Sequence, residues 1–357
     1  VEIVTEVRYK RVKQIGVGQG KNSEVYLSDD PQLGGQIAVK EIPIAELSKQ
    51  GIKDFFGEAK AMFAAQHPEN VVPIRFAGES KVNNTVCIAM PFFSRGSLQD
   101  RIKSNSLGIL DSVKVGLQML NGLQIIHNAG YLHFDLKPSN VLFSDRDQAM
   151  VSDFGQSRML NTTTGTADTP PVYCWAITPE LYASKATVRS DIFQAASTLY
   201  RAVNGDHFAK AQRPDDTDPF FNRVLKDLIT TGKLPNRDLF MPHVPRGLRT
   251  ILRKALSVSP TDRHRTAASL ATELERVTVR YDWQAVFAPT GEITWNGKRG
   301  GAADLRVRLL IDGKRWRSEV HSLGSKTQAR DRTSAWKNDL TKTQAFNHLA
   351  GYFASLE

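Results

Sequence analysis

Cysteine is scarce in this chain: Cys87 and Cys174 are the two among 357 residues. Two thiols cannot form a disulfide framework or a four-cysteine zinc site, and so low a count fits a reducing, cytoplasmic compartment. Long apolar runs are missing as well. No stretch nears the ~18 consecutive apolar residues that a spanning helix requires, which argues against a membrane receptor. The opening VEIVTEVRYKRVKQIG has no apolar segment of the secretory kind. Internal repeats and low-complexity tracts are absent too, and the Thr-rich NTTTGTADTP at 161–170 reads as a loop. With 41% hydrophobic and 24% charged residues, the composition excludes a disordered or fibrous chain. It leaves a globular one, long enough for two or three domains.

Acidic residues are outnumbered 47 to 37, a net charge of +10 that suits anionic partners such as nucleotides or nucleic acid and says nothing about fold. Residues 281–357 hold twelve basic against eight acidic residues, and four of the five tryptophans, Trp283, Trp295, Trp316 and Trp336. A segment with that many bulky anchors is expected to have a core of its own.

Residues 1–90 read mostly as strands. Alternating runs such as EVYLS and QIAVKEI are broken by the turn material DDPQLGG, and one helix, 52–66, ends before His67-Pro68. Residues 97–280 read mainly as helix. Examples are 111–127, with Val113, Leu117, Leu120 and Ile125 on one face, then 188–204 and 246–257. A β-rich front and an α-rich back predict an α+β chain of two lobes, 1–93 and 94–280. From 281 the pattern changes. GEITW, DLRVRLLI and KRWRSEV read as three strands, Asn296-Gly297 and Asp312-Gly313 as their turns, and 326–356 as helical, in two helices. This small basic β-β-β-α domain would set Arg306, Arg308, Arg315 and Arg317 on one face of its sheet. Leu305, Val307, Leu309, Trp316 and Val320 would take the other. A basic face can grip nucleic-acid phosphates. It can equally be a solvated face whose helix packs on the lobes or recruits a protein partner, and that reading carries more weight.

The chemistry lies upstream. IGVGQGKNSEVYLS is a glycine-bearing turn between two strands, and glycines there let backbone N–H groups approach a polyphosphate. Alone it is a weak signal. Ile37-Ala38-Val39-Lys40 then places a lysine on the next strand, with Glu58 on the following helix. HFDLKPSN at 133–140 supplies Asp135, Lys137 and Asn140. Asp153-Phe154-Gly155 follows, and Thr178-Pro179-Glu180 closes the series. Five motifs in this order and spacing, over about residues 8–278, resemble the protein kinase superfamily, of the eukaryotic-like serine/threonine type.

The resemblance implies a two-lobed kinase fold, ATP and Mg2+ as cofactors, and a protein substrate. Asp135 would accept the proton of the substrate hydroxyl, and Lys137 would reach the γ-phosphate. Lys40, oriented by Glu58, would hold the α- and β-phosphates. Asn140 and Asp153 would be the metal ligands. Gly18, Gly20, Ser23 and Val25 would form the phosphate loop; Ala38 and Leu142 would enclose adenine; Met90, Phe92 and Phe93 would form the back pocket and hinge. Asp191 would brace the catalytic loop, a Glu180–Arg265 pair would close the large lobe, and His127 would be structural.

Three departures follow. Ser23 replaces the third glycine of the loop. Phe134 replaces the arginine that usually precedes the catalytic aspartate and neutralises an activation-loop phosphate, which predicts weak dependence on loop phosphorylation. Thr162, Thr163, Thr164, Thr166 and Thr169 remain candidate autophosphorylation sites. Tyr173 stands where a serine/threonine kinase usually has threonine. The alternative is a nucleotide-binding sensor or scaffold without strong activity, whose tail binds its partner.

Overall fold

A computed structural model describes residues 7–16, 23–32, 34–46, 52–65, 69–169, 177–182, 186–215, 217–301, 303–323, 329–331 and 333–357. The first lobe is an antiparallel sheet in the order β1-β2-β3-β5-β4, formed by Lys10–Ile15 (β1), Glu24–Asp29 (β2), Gln36–Pro43 (β3), Phe76–Ser80 (β4) and Thr85–Pro91 (β5). Helix α1, Ile52–Ala65, crosses between β3 and β4. Strict alternation gives the sheet two different faces. Ile37 and Val39 point outward with Cys87 and Ala89 into a small core covered by Tyr9 and Phe76. On that face Glu41 accepts from Nε of Arg11 at 2.8 Å. Ala38 and Lys40 point the other way, next to Met90 and Ile88 of β5.

The second lobe is helical: α2 (Leu98–Ile102), α3 (Ile109–Asn128), α4 (Val188–Asn204), α5 (Asp206–Lys210), α6 (Phe221–Thr230), α7 (Arg246–Ala255) and α8 (Ala267–Leu274). Two short antiparallel pairs lie beneath the first lobe. Tyr131–Leu132 (β6) pairs with Arg158–Met159 (β9), and Val141–Phe143 (β7) with Ala149–Val151 (β8). Helix α4 is the central post, with every residue from Ser190 to Asn204 buried. Helix α3 approaches the 70–72 segment closely because Gly122 has no side chain: a Cβ there would lie 2.3 Å from the Asn70 carbonyl.

The tail holds the three expected strands, GEITW, DLRVRLLI and KRWRSEV, and a terminal helix, and adds three further strands. Asp282–Phe287 (β10), Ile293–Lys298 (β11), Asp304–Asp312 (β12), Arg315–Leu323 (β13), Ala329–Asp331 (β14) and Lys337–Leu340 (β15) form one six-stranded antiparallel sheet. One helix, α9 (Lys342–Ala354), replaces the expected two. Asn296-Gly297 is inside β11, where bare Gly297 receives the Trp283 ring; a Cβ would lie 2.5 Å from it. Asp312-Gly313 does turn a hairpin, with Asp312 paired to Arg315. Strands β14 and β15 are short and polar, so no alternation announced them.

The tail is joined to the second lobe through backbone. The Ser106 N–H donates to the Ala285 carbonyl at 2.8 Å, and the Ala285 N–H to the Ser106 hydroxyl at 2.8 Å. The Asp282 carboxylate accepts the Leu110 N–H at 2.9 Å. One apolar core runs from α3 and α4 into Trp283, Trp295, Val307 and Phe353. At its centre the buried Trp295 indole donates to Nδ1 of His243 at 3.0 Å. Burial pushes His243 down to about 3, so the ring is neutral and can accept.

Candidate active site

Between the lobes lies a cleft of about 330 Å³. Ser23, Val25, Ala38, Lys40, Met90, Phe92, Phe93, Asn140, Leu142 and Asp153 all line it. Residues from four distant stretches of sequence thus converge on one cavity. Ile15 and Gly16 of the glycine-bearing turn and Ser139 of the 133–140 motif line it as well, with Gly96, Ser97, Asp100 and Ser152, which no motif contained. Gly18 and Gly20 are outside the described residues, as are Tyr173 and the side chain of Glu58, whose backbone is in α1. The Lys40 ammonium donates to Asp153 Oδ1 at 3.0 Å.

The 133–140 segment forms the floor. Lys137 Nζ is 2.6 Å from Asp135 Oδ2, and Asn140 Nδ2 donates to that oxygen at 3.1 Å and to the Asp135 carbonyl at 2.8 Å. Asp135 Oδ1 is buried with no protein partner among the described residues. Burial raises the Asp135 pKa above the usual carboxylate value, and the Lys137 cation partly offsets this. Asp153 goes the opposite way: the Lys40 charge holds it down to about 2. Two carboxylates in one cleft are thereby set apart in acidity, the arrangement that separates proton acceptor from permanent anion. Both Phe134 (φ 65°) and Asp153 (φ 63°) adopt the left-handed region, strain that the surrounding contacts must hold.

Helix α4 supplies those contacts. Asp191 accepts the backbone N–H groups of His133 (2.8 Å) and Phe134 (2.9 Å), and His127 Nε2 lies 2.8 Å away. Desolvation opposes the charge on Asp191, yet the hydrogen bonds from His127 and His133 prevail and keep its pKa low. One turn on, Gln194 accepts the Leu136 N–H at 3.0 Å and donates to the Phe134 carbonyl at 2.8 Å; Thr198 donates to the Leu136 carbonyl at 3.1 Å. Positions 191, 194 and 198 share one helical face, a spacing that could have flagged Gln194 and Thr198 in the sequence.

The ion pair that closes the lobe is Glu180 with Arg263, correcting the expected Arg265. Nη1 and Nη2 of Arg263 each donate to a Glu180 oxygen at 2.8 Å, while its Nε donates to the Ser257 carbonyl at 2.7 Å. The short turn Pro260–Asp262 directs residue 263 inward, whereas Arg265 is exposed. Phe134 fills the place of the missing arginine with an apolar plug among Leu132, Ala167 and Ala186. Ala167 and Ala186 exchange backbone hydrogen bonds at 3.0 and 3.3 Å, tying the end of the Thr-rich loop to the residues that lead into α4. Thr162, Thr163, Thr164 and Thr169 are exposed and Thr166 half-buried.

A family model described as "Protein kinase domain" matches residues 9–274, three quarters of the chain. The chain belongs to the protein kinase family. It is 27% identical over 277 residues to serine/threonine-protein kinase PknK of Mycobacterium tuberculosis, covering 76% of this chain and 24% of that protein. It is 28% identical over 286 residues to serine/threonine-protein kinase pkn2 of Myxococcus xanthus (76% of this chain, 32% of that one). It is also 31% identical over 240 residues to CBL-interacting serine/threonine-protein kinase 21 of Arabidopsis thaliana (62% and 55%). The chain spans about a quarter of the length of the mycobacterial relatives it matches. The family match stops before β10, so the sheet and α9 lie beyond it.

Proposed function

We propose that this protein transfers the γ-phosphoryl group of ATP to serine or threonine hydroxyls of proteins, with Mg2+. The observation that carries this reading is the joining of Asp135, Lys137 and Asn140 in one hydrogen-bonded cluster beside the Lys40–Asp153 pair. Phosphoryl transfer needs positioning and neutralisation of charge, and each residue has a part. The buried Asp135 carboxylate orients the substrate hydroxyl and takes its proton as the oxygen attacks. Lys137, held against Asp135, reaches the γ-phosphate; Lys40 holds the α- and β-phosphates, with Glu58 behind it. Asn140 and Asp153 offer the hard oxygen donors that magnesium accepts when phosphates and water complete its shell. When bound, the metal neutralises the phosphate oxygens.

Adenine is held between Ala38 and Leu142, against Phe92 and Phe93 and below Met90. Gly18, Gly20, Ser23 and Val25 cover the phosphates. Asp191 keeps the catalytic loop in register, and the Glu180–Arg263 pair ties the activation segment to the lobe. Residues 1–93 and 94–280 are the two working lobes, and 281–357 is an accessory unit that recruits a protein partner. The nucleic-acid reading of the basic face is disfavoured because buried Glu319 already contacts Arg308, Arg317 and His321 at 3.1–3.5 Å. Among the described residues no helix is long and apolar enough to cross a membrane. A cytoplasmic location is part of this reading.

Incubation with labelled ATP and magnesium, followed by phosphoamino-acid analysis, tests it. Label on serine or threonine, including Thr162–Thr164, Thr166 or Thr169, that vanishes in Asp135→Asn supports the assignment. ATP binding with no transfer to any substrate, including a generic basic protein, would turn it toward the sensor alternative.

A further inference from the structure

A second cavity, of about 390 Å³, lies between the second lobe and the tail, and it shares no lining residue with the nucleotide cleft. Its wall is aromatic. The Tyr281 and Trp283 rings lie 5.5 Å apart, and Phe353 of α9 meets Trp283 edge-on at 4.9 Å. Ile251 of α7 and Val277 also line it. His243, in the same lining, is neutral and already accepts the Trp295 indole N–H.

The mouth is charged, and unevenly so. Glu273 and Glu357 line it but are engaged, Glu273 by Lys254 and His264, Glu357 by the Arg246 backbone N–H. Arg276 and Arg280 line it too. Both are exposed, and neither guanidinium has a hydrogen-bond or ion-pair partner among the described residues. With Glu273 neutralised by Lys254 and one charge of the arginines offset by Glu357, the mouth stays net positive, and aromatic walls beneath it are complementary to an amphipathic anion. A guanidinium grips a carboxylate with two parallel N–H bonds, and the volume is in the range of small-molecule sites, roughly 300–1,000 Å³.

The geometry points to a binding site for a small organic acid with an aryl or acyl body. Its carboxylate sits on Arg276 and Arg280, and its body lies against Trp283 and Phe353. The walls come from both α7 and the tail, so occupancy clamps the two together and raises the melting temperature by mass action.

Gly247 of α7 also lines the cavity, and a Cβ there meets no heavy atom within 4 Å. Gly247→Phe therefore starts a bulky side chain at the cavity wall with no clash at its Cβ. The full chain would be titrated with 1-anilinonaphthalene-8-sulfonate, an aryl anion that fluoresces on leaving water, with the nucleotide cleft blocked by saturating magnesium and a non-hydrolysable ATP analogue. We expect one saturable site, weakened by at least about tenfold, the worth of a single lost charge-assisted hydrogen bond, by the paired reversal Arg276→Glu and Arg280→Glu. Gly247→Phe should abolish it, and Arg306→Glu on the far face of the sheet should leave it unchanged. Octanoate should displace the dye and raise the melting temperature; octylammonium should do neither. No saturable binding, binding that survives either cavity variant in a protein of normal melting temperature, or displacement by octylammonium as readily as by octanoate would each overturn the proposal. If Gly247→Phe does not fold, the charge reversal at two exposed positions decides alone.

Discussion

At the scale of single residues, the site is governed by how burial and charge divide the labour between Asp135 and Asp153. Asp135 must be ionised to accept a proton, and burial makes that harder, while Lys137 makes it easier. Removing the cation leaves burial to act with less opposition. In Lys137→Met the acid limb of the pH–rate profile should therefore move to higher pH, read from kcat/KM between pH 4 and 8. Asp135→Asn should cost about 10²- to 10⁴-fold in turnover, the usual worth of a general base, with nucleotide affinity retained. The buried ion pair supplies a sharper contrast. Arg263→Ala strands a buried Glu180 and should cost about 3–5 kcal/mol of stability by denaturant titration. Arg265→Ala, at an exposed position, should stay within about 0.5 kcal/mol.

The same residues differ in how legible they are in the sequence. Lysine, aspartate and asparagine at fixed spacings announce phosphate chemistry, so Lys40, Asp135, Asn140 and Asp153 stand out by type and position alone, and the fold brings all four together. Arg263 and Arg265 differ by two positions in a loop, and only the inward turn at Pro260–Asp262 tells them apart. Gln194 and Thr198 act through backbone groups, which leave no compositional trace.

At the scale of elements, the residues on either side of 170–185 are held by packing. Phe134 packs with Leu132, Ala167 and Ala186, and Ala167 and Ala186 are joined by backbone hydrogen bonds, so these positions are tied together by contacts that involve no phosphate. Replacing Thr162, Thr163, Thr164, Thr166 and Thr169 together by alanine should leave kcat/KM within about twofold, since no Arg next to Asp135 waits for the modification. Phe134→Arg should lower activity, because it buries an unpaired charge among apolar side chains. Helices α3 and α7 were readable from their period because each buries one face, whereas α4 is buried on every side. In the tail, β11, β12, β13 and α9 were readable in the same way, while β10, β14 and β15 were not. Gly297 looks like a turn residue until the Trp283 ring is seen lying on it, and β15 has polar residues that a sheet edge tolerates.

At the scale of the whole molecule, one core unites lobe and tail. Trp295 is fully buried in it, so Trp295→Ala should cost about 3–5 kcal/mol. Acid should weaken the same joint. His243 is neutral when folded, with a pKa lowered to about 3, while in the unfolded chain it takes a proton near 6.5. Its contribution is present above that value and is lost as the pH falls from about 6.5 toward 3. The melting temperature should fall across that window, and His243→Gln should flatten the fall. Cutting the chain after Thr278 would expose Met241, Val244 and their neighbours, so aggregation rather than a liberated enzyme is expected on size-exclusion chromatography.

The ladder between Ser106 and Ala285 has a consequence best put in genetic terms. The tail is held by hydrogen bonds to the loop that follows α2, whose Asp100 lines the nucleotide cleft. A stop codon between positions 279 and 353 would thus remove part of the shared core and act on the kinase lobes themselves, not as the loss of an optional module. A tail transplanted from a related gene would take only if the recipient's codons 104–107 travelled with it.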